Sequence, residues 1–236
     1  RHKITQVARG GADDGKVRNN DTHYSYRQCS SFFYLTGLNE PHAILVLEKN
    51  SEDFFMRVYL REKDPAAEQW SGLRLGVQTL NDLIKKNNVP AKALAISEWD
   101  KQLEQHLLGK KHLYFDLFHE SQFYHSLKKH VYQLAQRKRI KNHVPTNFHH
   151  LPSLVGKIRL IKSADEISIM EHAAAITRTG YQAAMALANP GTHESDISAI
   201  INYQFQKHGA SILSESELLA IILTKQTIKN SDFFIK

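Results

Sequence analysis

The stretch Asn19–Pro41, NNDTHYSYRQCSSFFYLTGLNEP, places the firmest constraint on the fold. It is polar and turn-rich at its start, aromatic in its middle, and closed by Gly37, Asn39 and Pro41. It feeds directly into the apolar run Ala43-Ile44-Leu45-Val46-Leu47. Burying one aromatic ring contributes roughly 1.5–3 kcal/mol, so Phe32, Phe33 and Tyr34 in a row belong in a core rather than in a solvated loop. The pattern predicts a strand over Ser31–Leu35, a turn over Thr36–Pro41 and a buried strand over Ala43–Leu47.

The downstream pattern alternates strands with helices. Asn50–Asp53 reads as a turn, and Phe54–Leu60 as a second strand, which together give an antiparallel hairpin. Asp64–Glu68 is a polar segment leading to Trp70-Ser71-Gly72-Leu73-Arg74-Leu75-Gly76. Thr79–Asn88 is an amphipathic helix with Leu80, Leu83 and Ile84 on one face, stopped by Pro90. Ala93–Ile96 reads as a strand, Glu98–Leu108 as a helix, Leu113–Phe118 as a strand and Ser121–Arg139 as a longer helix. This order predicts an α/β layer architecture with a mixed β-sheet flanked by helices. Residues 1–18 are expected to be loop, because Gly10-Gly11-Ala12-Asp13-Asp14-Gly15 does not suit a buried strand.

Val144–Gly156 reads as a boundary: it holds Pro145, Pro152 and Gly156, shows little periodicity and is flanked by basic residues. Ser163 and Glu166 then have capping-box spacing at the start of a helix. Ile167, Met170, Ala174, Tyr181 and Met185 continue one face of it as far as Asn189-Pro190-Gly191. Thr192 is expected to cap a second helix with Ile197, Ile200, Ile201 and Phe205 inward and Gly209 as its stop. The reading is two domains, 1–156 and 157–236.

Tyr26-Arg27-Gln28, Phe32-Phe33-Tyr34-Leu35-Thr36-Gly37 and Asn39-Glu40-Pro41 resemble the N-terminal domain signature of aminopeptidase P, the Xaa-Pro aminopeptidases of the creatinase/prolidase superfamily. Cys29 departs from it, standing where the family has a polar residue. The Trp70–Gly76 element is also similar to the family's. So is the order Arg159-Leu160-Ile161-Lys162-Ser163, Pro190-Gly191 and His208-Gly209-Ala210, which resembles the opening of the pita-bread catalytic domain. The resemblance covers about Asn19–Ser214 and ends there; a divergent end, a truncation and a shifted reading frame all account for the rest.

The resemblance implies a reaction: hydrolysis of a peptide with proline in second position, releasing the first residue. It implies two divalent ions, Mn²⁺ in this family, that hold a bridging hydroxide; paired metals lower the pKa of water and stabilise an oxyanion. The family's ligands are two aspartates, a histidine and two glutamates, all beyond the two opening helices. None of those motifs occurs in Ser211–Lys236, so no metal or catalytic residue is assigned and the chain alone is expected to be inactive. The resemblance places Trp70 and Arg159 at the substrate cleft, and packing of Trp70 in the core is the alternative. Homo-oligomer contacts and a proline-containing peptide are the implied partners.

The residues offer no replacement centre. His119-Glu120 and His193-Glu194 begin an H-E-x-x-H pattern, but Phe123 and Ile197 occupy the second histidine's place. His149-His150, near His143, reads as surface histidine. The single Cys29 excludes an internal disulfide and fits a reducing compartment, which with no apolar leader gives a cytoplasmic expectation. The longest apolar run, Leu218–Leu223, is too short for a bilayer. Net charge is +7, yet Ser121–Ala164 holds nine Lys or Arg and no acid, leaving −2 elsewhere. Two other functions stay open: a non-catalytic interaction module exposing the faces of the two last helices, and polyanion binding through Lys128–Lys141. Only Tyr132 interleaves that basic run, so nucleic acid is not the expected partner.

Overall fold

The computed structural model describes residues 4–9, 17–19, 22–23, 26–49, 54–119, 121–137 and 143–210. The expectations for Gly10–Gly15, Asn50–Asp53, Lys138–Lys141 and 211–236 lie outside them. In chain order the elements are β1 (Ile4–Arg9), β2 (Val17–Asn19), β3 (Thr22–His23), α1 (Ser30–Thr36), β4 (Ile44–Lys49) and β5 (Phe54–Leu60). Then come α2 (Pro65–Ser71), α3 (Val77–Lys86), β6 (Ala91–Ala95), α4 (Trp99–Leu107), β7 (His112–Phe115) and α5 (Gln122–Gln136). The last are β8 (Asn147–His150), α6 (Leu151–Leu160), α7 (Ala164–Leu187) and α8 (Glu194–Lys207). The chain divides into two compact units, Arg1–Arg159 and Leu160–Lys236.

The first unit is built on a six-stranded sheet in the order β6-β5-β4-β1-β7-β8. The β4–β5 hairpin and the β1–β4 pair are antiparallel; β5–β6, β1–β7 and β7–β8 are parallel. The sheet is therefore mixed and helix-flanked, as the alternating pattern predicted. Ile44, Leu45, Val46 and Leu47 are all buried, so β4 is covered on both faces. Val7, Val46 and Leu113 from the strands share a core with Leu107 of α4 and Leu127 and Leu134 of α5.

Several local readings are corrected. Ser31–Leu35 is not a strand: it lies within α1, whose Phe32, Phe33, Tyr34, Leu35 and Thr36 are all buried. A short continuous apolar run fits a buried helix as well as a buried strand. Gly37, at φ 64°, ends α1 in the left-handed region and donates its N–H to Phe33 O, 2.6 Å away. Thr36 Oγ1 turns back to Phe32 O at 2.8 Å.

Residues 4–9 are the second correction: they form a strand between β4 and β7. Thr5, a polar residue within it, is fully buried but donates its hydroxyl to His106 O at 2.8 Å, which removes most of the cost. The polar segment Asp64–Glu68 is, thirdly, the start of α2. Asp64 caps it by accepting from Ala66 and Ala67 N–H at 3.1 and 3.2 Å, and Pro65 takes the first helical position. Val144–Gly156, read as a boundary, supplies β8 and most of α6, with Leu151 and Val155 buried and Pro152 in the first turn, where a missing N–H does no harm.

In the second unit, Ser163 and Glu166 make the expected capping box, at 3.2 and 2.7 Å. The face of α7 that packs inward carries Ile169, Ala173, Ile176, Gly180 and Ala184. The predicted stripe of Ile167, Met170, Tyr181 and Met185 faces solvent instead, so α7 is apolar on two sides. A Cβ at Gly180 would sit 3.0 Å from the Phe205 ring of α8, so the missing side chain lets the two helices approach closely. Thr192 does not cap α8. Its hydroxyl accepts from Asn189 N–H at 3.0 Å and donates to Leu187 O at 3.1 Å, closing the turn, while Asp196 accepts from His193 N–H at 3.2 Å. Among the described residues no helix is long and apolar enough to cross a membrane.

Candidate functional site

Trp70 lies at the end of α2 and is 91% exposed, so it is not a core residue. Leu73, three residues on, is equally exposed. Such a pair has no hydrophobic reason to hold its position, and the following loop is held by polar contacts instead. Glu40, in the turn after α1, accepts the Leu75 N–H on Oε1 at 2.8 Å. Arg74 Nη1 donates to Glu62 O at 3.3 Å. Gly72 and Gly76 take φ of 81° and 75°, and Gly76 packs under the Lys63 stem, where a Cβ would collide at 2.6 Å.

Glu40 is itself held from behind. Gln28 Nε2 donates to Leu38 O at 3.2 Å and Glu40 O at 3.0 Å, while Gln28 Oε1 accepts from Cys29 N–H at 2.8 Å. These residues belong to the Tyr26–Pro41 signature. Its polar members therefore brace the turn that in turn braces the Trp70 loop. Arg159, the other expected cleft residue, lies in α6 with its guanidinium 5.3 Å from the centre of the Tyr34 ring in α1. Trp70 and Arg159 thus sit in different elements with different neighbours, Trp70 presented to solvent and Arg159 against the signature helix.

A group of buried charges escaped the sequence reading. Glu48, at the end of β4, receives Lys110 Nζ on Oε1 at 3.0 Å, His106 Nδ1 at 3.1 Å and Arg57 Nη1 on Oε2. Its side chain is 9% exposed. Burial pushes the Glu48 carboxyl up, but hydrogen bonds from His106 and Lys110, with the attraction of both, outweigh it and lower it from 4.5 to about 2. Tyr59 OH lies 2.6 Å from His106 Nε2 and 2.8 Å from Gln102 Oε1. Burial, with Glu48 and Glu98 adding to it against Arg57, raises its phenol to about 12. One signal was available: Glu48 is a charge at the end of a buried run, on a hairpin that also carries Arg57.

The histidine cluster resolves into pairs. His149 is 2.9 Å from His112 Nδ1 and stacks on Tyr114, with ring centres 4.4 Å apart. His150 meets Asp116 at 3.5 Å and the Phe118 ring at a tilt, with centres 4.8 Å apart. Among the described residues no group of three or more His, Cys, Asp or Glu is placed to hold a metal ion, so these residues do not fit a two-metal centre. Cys29 is exposed. Within the described part of the basic run, Lys128 donates to Leu117 O at 2.8 Å and Arg137 pairs with Glu104 at 2.9 Å.

Residues 4–114 match the family described as aminopeptidase P, N-terminal domain. The chain is 33% identical over 209 residues to a Xaa-Pro aminopeptidase of Haemophilus influenzae, covering 87% of this chain and 44% of that protein. It is similar in structure to Escherichia coli aminopeptidase P with the inhibitor Pro-Leu, at a TM-score of 0.78 and 30% identity, over 87% of this chain and 46% of that one. A zinc-substituted form of the same enzyme in complex with product matches equally, with a TM-score of 0.78. The chain therefore spans under half the length of the relatives it matches.

Proposed function

Because the chain belongs to the aminopeptidase P family, we propose that it forms the N-terminal portion of a metal-dependent Xaa-Pro aminopeptidase, a hydrolase that releases the residue preceding proline. Residues 1–156 would be the N-terminal domain and 157–236 the opening helices of the pita-bread domain. The observation that carries the reading is Trp70: a large ring, in an element shared with the family, standing almost wholly in solvent at the end of α2, beside a loop with a fixed base. A ring so placed makes its contacts with something outside its own domain. We assign it to the wall of the substrate cleft and to contacts with another copy of the chain, in a cytoplasmic homo-oligomer. Arg159 is assigned to the same cleft from α6. A proline-containing peptide is the substrate, and the two Mn²⁺ ions would be held by residues other than those described.

The test is direct. The purified 236-residue chain, supplied with Mn²⁺ and a peptide carrying proline second, is expected to release no N-terminal residue. Release at a measurable rate, abolished by a chelator, overturns the assignment of ligands elsewhere. A second reading, a non-catalytic interaction module, is favoured by the outward stripe of Ile167, Met170, Tyr181 and Met185 on α7. A monodisperse monomer by light scattering at high concentration would count against it.

A further inference from the structure

Glu40 is a buried carboxylate, 8% exposed, that the peptidase reading does not use. Its Oε1 takes the Leu75 N–H at 2.8 Å, and its Oε2 is buried with no hydrogen-bond partner among the described residues. An ionisable group in that state is costly unless its position is worth something. What it holds is the base of the loop between α2 and α3, which carries Leu73 and directly follows Trp70 at the end of α2; neither side chain contributes to the core. Leu75 is 35 residues distant in sequence, so this is a tertiary tie and not a turn closing on itself.

We propose that Glu40 is the positioning residue of the Trp70 loop: by holding the Leu75 amide it fixes the direction in which Trp70 and Leu73 are presented, and so the fit of Trp70 at the cleft. The chain of contacts runs from Gln28, through the carbonyls of Leu38 and Glu40, to the Glu40 side chain and on to Leu75. The signature Asn39-Glu40-Pro41 thus acts on the cleft at second hand, through the loop it anchors. The inference takes from the reading above only that Trp70 is the contact residue.

Two variants of the full chain test it, Glu40→Ala and Glu40→Gln, by amide hydrogen exchange and acrylamide quenching. Hydrogen bonds to charged groups have a net value that corresponds to about ten- to hundredfold in an opening equilibrium. Glu40→Ala is expected to speed exchange at Leu75 by that factor while Leu45 and Val46 in β4 keep their protection. Glu40→Gln, whose amide oxygen still accepts, is expected to restore most of it. The chain has two tryptophans, and Trp99 is buried, so quenching reports Trp70. Its quenching constant should change in the alanine variant and return with glutamine. Unchanged Leu75 exchange in Glu40→Ala overturns the proposal. If alanine loosens β4 as well, the glutamine variant decides: an intact sheet with Leu75 protection lost overturns it, and protection retained supports it. Both readouts are independent of peptidase activity, so failure here is distinct from failure of the functional reading.

Discussion

Replacing Glu48 by Gln keeps the volume but removes the one negative charge facing Arg57, Lys110 and His106. The size of the effect follows from titration. Glu48 ionises at about 2 in the folded chain instead of 4.5, and its side chain is well buried, so its charge contributes on the order of 3 kcal/mol at neutral pH. A depressed carboxylate gives stability that is complete above the unfolded value and lost as pH falls through the folded one. The cost of Glu48→Gln should therefore be about 3 kcal/mol at pH 6 and shrink towards zero as pH approaches 2, where the parent side chain is itself neutral. Against a typical stability of about 5–15 kcal/mol, that lowers the melting temperature by roughly 10 °C at pH 6. The assay is urea unfolding followed by Trp99 fluorescence, since that indole stacks on His106 at 6.1 Å and reports the same core. Using the difference between parent and variant at each pH cancels the other carboxylates. A penalty that is equal at pH 6 and pH 3, or below about 1 kcal/mol at pH 6, refutes the argument that the hydrogen bonds and attraction of His106 and Lys110 outweigh the burial of Glu48.

Trp70→Ala should leave the unfolding free energy from urea titration within about 0.5 kcal/mol of the parent, because so exposed a ring supports nothing in its own domain. Ser163→Ala removes one half of the α7 capping box and is expected to cost about 1 kcal/mol of stability, read by thermal unfolding of the second unit. Gly180→Val places a branched side chain against Phe205 and should destabilise the α7–α8 pair by about 1–3 kcal/mol; adding Phe205→Ala should recover part of the loss, whereas a neutral Gly180→Val would show that the helices can spread.

What was legible in the sequence was whatever a local period or a paired cap could encode. The β4–β5 hairpin, α3 to α5 and the Ser163–Glu166 box appear close to where the pattern puts them, as do the family and the mixed helix-flanked sheet. Several of the misses share a cause: they were decided by a partner distant in the chain. Thr5 is tolerable at the sheet centre because of a carbonyl 101 residues away. Phe32–Leu35 is helical because surrounding elements bury the aromatic run on all sides, which no period within the run can reveal. The Asp64-Pro65 start of α2 was, by contrast, readable, since a capping acid followed by proline is a local signal. At the candidate site, Trp70 was found through resemblance, but its exposure and its tether to Glu40 are tertiary facts. The two faces of α7 show the same limit: periodicity displayed an apolar stripe, and the structure turned the other one inward.

The placement of β1 has a mechanical consequence. β1 lies between two halves of the sheet, β4–β5–β6 on one flank and β7–β8 on the other. Neither flank touches the other's hydrogen-bonding edge without it. Breaking β1 itself, for instance with a proline at Val7, would unzip both seams at once and leave two separate ribbons.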